Sequence, residues 1–431
     1  MVVHRACSFC LHRSSPAGVE AERIINLKYT TEMHILEIPS FFPPYGGLFC
    51  LDQSKALAMY GNTVRIAACV ETGLSVTPKH YFTAPLCTHH LKMDGIDVVR
   101  HYMRAIPKCH RRNVERWLGI VEKIVDNYVE RYGKPDMLHA HCCKWAGYAA
   151  MKAGEKYGLP YVITEHLPSG ILATEFQPGT GAWQEPMLRE AYSRAAMVIP
   201  VAAELVADTA PYFGTGYRWQ EVSNTIDVDF FTYKERERRD GQPFVFCCIA
   251  DFIPRKGYDV LARAMQKFIA DTHANVRLVV AGRGTDSQEM KQLLHGCGLE
   301  GRVDMCGSVD KYGVLQILHG SHCLLLASRS EVQPLVLLEA MSTGIPVVST
   351  EVVPCSERVE GGCFIAGVDD ADGFAQCMKQ VYGGAAADGR KLSAAISAMA
   401  SPEVVGRRLT DLFEDVCQSF GGNEQGSCRE S

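Results

Sequence analysis

The sequence predicts an α/β protein made of two doubly wound domains, each a parallel sheet covered by helices, facing a central cleft. Short apolar runs of strand length alternate with longer helical text from Met33 onward. The alternation breaks at a polar stretch, Tyr233 to Gln242, and then restarts in a second series of similar size. Strands buried on both faces read as continuous apolar runs, and two successive series of them place a cleft between two domains.

The first series opens with His34 to Ile38 and a Pro/Gly loop. It continues through Asn62 to Ala68, a helix around Val114 to Arg131, Asp136 to Ala140, Tyr161 to Thr164 and Met197 to Val201. The second runs through Phe244 to Ala250, Val276 to Ala281, Val303 to Met305, Cys323 to Ala327 and Pro346 to Ser349. Residues 33–223 and 224–401 are the expected domains. A last amphipathic helix, 402–420, has no strand after it, and a Gly/Ser-rich tail, 421–431, is expected to be flexible. Residues 1–32 show no period, so they are expected to be a disordered or non-native extension.

With 47% hydrophobic and 22% charged residues the chain has ample material for a core, and its net charge of −5 argues against nucleic acid as a partner. No apolar stretch approaches the roughly 18 to 20 residues of a membrane span, and no signal-type apolar core opens the chain, so a cytoplasmic protein is expected. The 18 cysteines are scattered through apolar runs and read as small buried hydrophobes. His4, Cys7, Cys10 and His12 have zinc-type spacing but lack a second pair nearby, and no metal is expected.

The segment Ser328 to Val348 carries the most chemistry. A buried strand is followed by a loop with Glu331, a proline suited to a helix start, a helix with Glu339, and Gly344 before the next strand. A helix N-terminus at the carboxyl end of a parallel strand offers unpaired N–H groups and partial positive charge to a diphosphate. Eight helical residues span roughly 12 Å, so Glu331 and Glu339 could hold hydroxyls at the two ends of a nucleotide sugar. Val280-Ala281-Gly282-Arg283-Gly284 starts like a dinucleotide fingerprint, but Ser287 replaces the third glycine, which argues against a nicotinamide enzyme. Asp369, Asp370 and Asp372 precede a helix and read as caps. A basic stretch of Arg104, Lys108, His110, Arg111, Arg112 and Arg116 reads either as a solvated helix entry or as a contact for an anionic membrane or acceptor.

Glu-x7-Glu in this setting, with Leu-Leu-Glu-Ala-Met and Gly-Ile-Pro-Val-Val after it, resembles the signature of retaining glycosyltransferases of family 4. Further motifs follow in that family's order: Pro43-Pro44-Tyr45-Gly46-Gly47, Leu138-His139-Ala140-His141, Thr164-Glu165-His166, Asn224-Thr225-Ile226-Asp227 and Arg255-Lys256-Gly257. The resemblance implies the GT-B fold, two Rossmann-like domains with the acceptor on the first and the nucleotide-sugar donor on the second. It also implies that the helix 402–420 crosses back to the first domain. By the same resemblance Glu331 and His166 are catalytic and face the donor sugar, Glu339 binds the ribose, and Lys256 with Arg255 neutralises the diphosphate. Backbone amides at Leu335 and Val336 meet that diphosphate, Gly46 and Gly47 approach a phosphate or acceptor, Gly282 lines the donor pocket, and Gly307 and Val309 meet the base. His141 is the candidate for an acceptor or sugar contact at the cleft.

Two positions depart from the family pattern. Asp251 stands where members often carry a second cation, and Pro334 falls where a backbone N–H is common. The expected function is transfer of a sugar from a nucleoside diphosphate sugar to a glycan or lipid-linked acceptor, with no obligatory cofactor or metal and with peripheral contact at the inner membrane surface. The alternative is a non-catalytic nucleotide-sugar-binding or scaffold protein on the same fold. On this reading Glu331→Gln leaves nucleoside diphosphate affinity nearly unchanged and lowers turnover.

Overall fold

The computed structural model describes residues 32–74, 78–167, 182–236 and 241–427, with the side chains of 422–427 left aside. Most of the expected extension and the His4, Cys7, Cys10, His12 group therefore lie outside the described residues. The first sheet holds β1 (His34–Pro39), β2 (Thr63–Thr72), β3 (Thr88–Met93), β4 (Ile96–Arg104), β5 (Met137–His141), β6 (Tyr161–Glu165) and β7 (Met197–Pro200), in spatial order β3-β4-β2-β1-β5-β6-β7. All neighbours are parallel except β3 with β4. The second holds β8 (Phe244–Ile249), β9 (Val276–Ala281), β10 (Val303–Met305), β11 (Cys323–Leu326), β12 (Val347–Thr350) and β13 (Cys363–Ala366), all parallel in the order β10-β9-β8-β11-β12-β13.

The strand order reverses beside β1 in the first sheet and beside β8 in the second. Ligands of open α/β sheets bind outside the carboxyl ends of the strands at such points. The apolar runs bury as their composition dictates: Leu36, Ile38, Leu138 and Ile163 with Trp117 in the first core, and Phe246, Leu278, Leu325 and Phe268 in the second. Cys142, Cys143, Cys247, Cys248 and Cys323 are buried thiols inside this packing. Asp370 caps the helix Ala371–Tyr382 by accepting the Gly373 N–H at 2.8 Å.

The last helix, Pro402–Ser427, lies on the first domain. Val405, Leu409, Leu412, Phe413 and Val416 share a core with Ile35, Leu57, Met137, Val162 and Ile199. Asn62 Nδ2 donates to Thr410 Oγ1 at 2.9 Å, and Gly406 lets the helix cross Leu48–Ala58 so closely that a Cβ there would stand 2.3 Å from the Ala56 carbonyl oxygen. The helix continues past Phe420 to Ser427, because extending an anchored helix costs far less than nucleating one. The crossings between domains run side by side, with the Ile226 N–H donating to the Ala400 carbonyl at 2.7 Å.

Three strands escape the sequence pattern. β3 alternates exposed and half-buried side chains at the sheet edge, β4 carries Arg100, His101 and Arg104 among its apolar residues, and β13 is mostly half-buried. The helix expected around Val114 begins earlier and spans His110–Tyr132.

Candidate functional site

Loops after β8 and β11 meet at the mouth of the cleft. Gly257 makes this possible: it has φ of 64°, and a Cβ would stand 1.9 Å from the Ala327 carbonyl oxygen. The Arg329 N–H donates to the Arg255 carbonyl at 2.8 Å, closing the two loops together. Their side chains converge on Glu331. Lys256 Nζ donates to Glu331 Oε1 at 2.5 Å, Ser328 Oγ donates to the same oxygen at 2.7 Å, and Arg255 Nη1 donates to Oε2 at 3.2 Å. The Glu331 and Lys256 side chains are 7% and 16% exposed, against 41% for Arg255, so the Lys256 bond is the sheltered one.

Beyond this cluster the helix Leu335–Ser342 starts at Pro334, and the Leu335 and Val336 N–H groups make no hydrogen bond among the described residues. Pro334, which departs from the family pattern, serves as the N-cap residue. Its neighbour Gln333 binds across the domain boundary: Nε2 donates to Ser223 Oγ at 2.9 Å and to the Val201 carbonyl at 3.2 Å, and Oε1 accepts the Asn224 N–H at 2.8 Å. Asp251 is also occupied, taking the Arg283 guanidinium at 2.6 and 3.0 Å and the Arg283 N–H at 2.9 Å. A guanidinium is thereby held beside the position that lacks its own cation. The Gly282 N–H donates to the Gly307 carbonyl at 2.8 Å, pairing the turns after β9 and β10, and Val309 is half-buried just beyond.

Glu339 sits farther along the helix, and its carboxyl makes no hydrogen bond among the described residues. Burial pushes its pKa up to about 7; Lys311 pulls it down, and Asp52 of the first domain raises it. Lys311 is itself held by Asp227, at 2.6 Å, in the turn that joins the domains.

The first domain contributes the histidines. Gly47, at φ 75°, caps the helix Leu48–Ala58, and a Cβ there would lie 1.9 Å from the Phe41 carbonyl oxygen; Gly46 before it has open space around it. Phe49 in this helix stacks on His166 with centroids 3.8 Å apart. His166 Nε2 lies 3.3 Å from His141 Nδ1, and His141 Nε2 lies 2.7 Å from Glu37 Oε2. His139 Nδ1 approaches the same oxygen to 2.8 Å, while its Nε2 meets Thr164 Oγ1 at 2.7 Å. Glu37, His139 and His141 have no exposed surface.

The reading of His141 as the histidine at the cleft is therefore corrected. Both its ring nitrogens are engaged inside the sheet, and it reaches outward only through His166. The imidazoles hold the Glu37 carboxyl down at about 2 against the cost of burial, burial lowers His141 to about 4, and His166 is lowered well below the usual range. No hydrogen bond or ion pair joins these histidines to the Glu331 cluster among the described residues.

Three buried carboxyls were not singled out by sequence reasoning. Glu37 is one, and its signal is a lone acid inside an apolar strand. Glu165, beside His166, accepts the N–H groups of His166, Leu167 and Cys143 at 2.9, 2.9 and 3.0 Å and the Tyr192 hydroxyl at 2.8 Å, so it fixes the turn that presents His166. Glu357 is fully buried behind Gln333, neither oxygen has a hydrogen-bond partner among the described residues, and burial pushes its pKa up to about 8.

Comparisons with known proteins fit this geometry. Residues 47–230 match the family described as Glycosyltransferase Family 4, and residues 229–384 match the one described as Glycosyl transferases group 1. The chain is 24% identical over 350 residues to a putative teichuronic acid biosynthesis glycosyltransferase, TuaC, of Bacillus subtilis, covering 74% of this chain and 81% of that one. Sucrose-phosphate synthase from Thermosynechococcus elongatus superposes with a TM-score of 0.72 at 15% identity, over 90% of this chain and 100% of that one. HepE from Anabaena, solved in complex with UDP and glucose, superposes with a TM-score of 0.62 at 18% identity, over 89% and 100% of the two chains.

Proposed function

The chain belongs to glycosyltransferase family 4 and has the GT-B fold, and from that premise we propose that it moves a hexose-type sugar, with retention of configuration, from a nucleoside diphosphate sugar to a glycan or lipid-linked acceptor. Cell-surface polysaccharide or glycolipid synthesis is the setting this activity suits. The observation that carries the reading is the convergence of Lys256, Arg255 and Glu331 beside a helix whose first amides are unpaired. Cations and N–H groups of this kind stabilise charge developing on a leaving diphosphate without a metal. Glu331 faces the sugar, Glu339 the ribose, and Gly282, Gly307 and Val309 line the base pocket. Glu331 and His166 are the residues at the reacting centre.

No helix among the described residues is long and apolar enough to cross a membrane. We propose a cytoplasmic enzyme in peripheral contact with the membrane. Support comes from Phe82, exposed at 69% and edge-on to the Tyr81 ring that Arg104 covers, with Leu86 exposed at 49% farther along the chain. Incubation with a panel of nucleotide sugars, with and without glycan and lipid-linked acceptors, tests the reading through release of the nucleoside diphosphate. Donor binding without turnover across the panel would overturn it in favour of a non-catalytic protein.

A further inference from the structure

The buried group behind His166 has a direction. Glu37 is surrounded by imidazoles and, as an ionised carboxylate, only accepts hydrogen bonds. His141 Nε2, at 2.7 Å from Glu37 Oε2, must therefore carry its proton there. A neutral His141 then offers a bare Nδ1, and the ring nitrogen facing that lone pair is His166 Nε2 at 3.3 Å, which must be the protonated one. His139 stands beside the same carboxylate. Its Nδ1 lies 2.8 Å from Glu37 Oε2 without making a hydrogen bond, and its Nε2 meets the Thr164 hydroxyl at 2.7 Å. The protons of His166 and His141 thus both point back along the relay toward one buried carboxylate.

The consequence falls on His166 Nδ1. That atom is buried and has no hydrogen-bond partner among the described residues, and the Phe49 ring stacked at 3.8 Å fixes the plane of the imidazole. A buried acceptor left unpaired costs free energy that a ligand donor can recover. We infer that Glu37 and His141 act as positioning residues that lock His166 in its Nε2–H tautomer, so that His166 meets the bound sugar as a hydrogen-bond acceptor and takes a hydroxyl proton at Nδ1. His166 in this state neither donates to the sugar nor shuttles a proton. It selects a donor sugar with a free hydroxyl at that point over its deoxy or O-alkylated counterpart. The tautomer follows from the ligand-free geometry alone; the sugar contact rests on the function proposed above.

Long-range proton–nitrogen correlation spectra of the full chain labelled with 15N-histidine test both parts, with the His166 signals assigned through His166→Asn. Near neutral pH the wild-type protein is expected to show His166 in one tautomer, protonated at Nε2 and bare at Nδ1. His141→Phe, which removes the acceptor, is expected to give a mixture of tautomers. A wild-type ring protonated at Nδ1, or already mixed, would overturn the inference, and that measurement stands even if His141→Phe does not fold. A divalent cation held by Glu37, His139 and His141 would displace these protons, so a change in the spectrum on chelation also overturns it.

With UDP-glucose as probe, the Nδ1 resonance is expected to move toward hydrogen-bonded values while remaining unprotonated, and UDP alone is expected to leave it in place. Calorimetry first establishes that UDP-glucose binds; binding with no Nδ1 response refutes the sugar contact. If no nucleotide sugar binds at all, the functional reading fails, while the ligand-free spectrum still decides the tautomer.

Discussion

Glu331→Gln should tighten the binding of the product nucleoside diphosphate while lowering turnover. Glu331 holds Lys256 at 2.5 Å in a sheltered pair, and on the proposed function a diphosphate must win Lys256 from it. A hydrogen bond to a charged partner contributes about 1.5–3 kcal/mol, and a glutamine oxygen in the same place retains about half of that. The competition relieved is then about 1 kcal/mol, a gain of about fivefold in affinity. Arg255 adds little, because its side chain is 41% exposed and screened. Titration calorimetry of wild type and variant with the same diphosphate reads the difference directly, beside initial rates with the intact donor. Unchanged or weaker diphosphate binding would refute the idea that Glu331 and the diphosphate compete for Lys256. The sequence alone leads to an unchanged affinity, since it cannot show that the carboxylate and the lysine are already paired.

On the proposed function ribose hydroxyls donate to the ionised Glu339 carboxyl, whose pKa is raised to about 7, so nucleotide affinity should climb by up to about tenfold per unit as pH rises toward 7 and level off above it. Glu339→Gln should bind more weakly at high pH and lose this dependence in calorimetry across pH 5.5–8.5; an unchanged slope would exclude Glu339 as the titrating group. Glu357, with its pKa raised to about 8, is protonated in the fold but ionised in the unfolded chain above its ordinary range, so wild-type stability falls as pH rises toward 8. Glu357→Gln removes that loss, and its denaturation free energy relative to wild type should improve by about 1.4 kcal/mol per unit between pH 6 and 8; parallel curves would show that Glu357 does not titrate there. Gly406→Ala places a Cβ 2.3 Å from the Ala56 carbonyl oxygen and should cost about 1–3 kcal/mol in urea denaturation, whereas unchanged stability would mean the crossing helices separate freely.

The fold class was legible because β1, β5, β6, β8 and β11 are buried on both faces and so are written as apolar runs. The edge strand β3 packs too little side chain to declare itself, and in β4 Asp97, Arg100, His101 and Arg104 break up the apolar run that would have marked a buried strand. Within the candidate site, the nearness of Lys256, Arg255 and Glu331 follows from β8 and β11 being adjacent and from the glycine between their loops. Glu37 and His141 are 104 residues apart and meet only because β1 pairs with β5. No local pattern announces such a pair. Glu165 and Glu357 were hidden for a related reason, since a buried acid is recognisable only once its partners, or their lack, are in place.

The last helix gives the order of synthesis a role in building the site. Phe413 packs edge-on against His139 with centroids 5.0 Å apart, and Leu409 and Val416 complete the core beneath β1 and β5. As the chain leaves the ribosome, the first domain emerges long before the segment that seals it. It must wait, with part of one face of its sheet uncovered, until the whole second domain has been made. The histidine group thus acquires its final packing only after the second domain has been made, and a chain released before that helix would lack a finished first domain despite containing every strand of it.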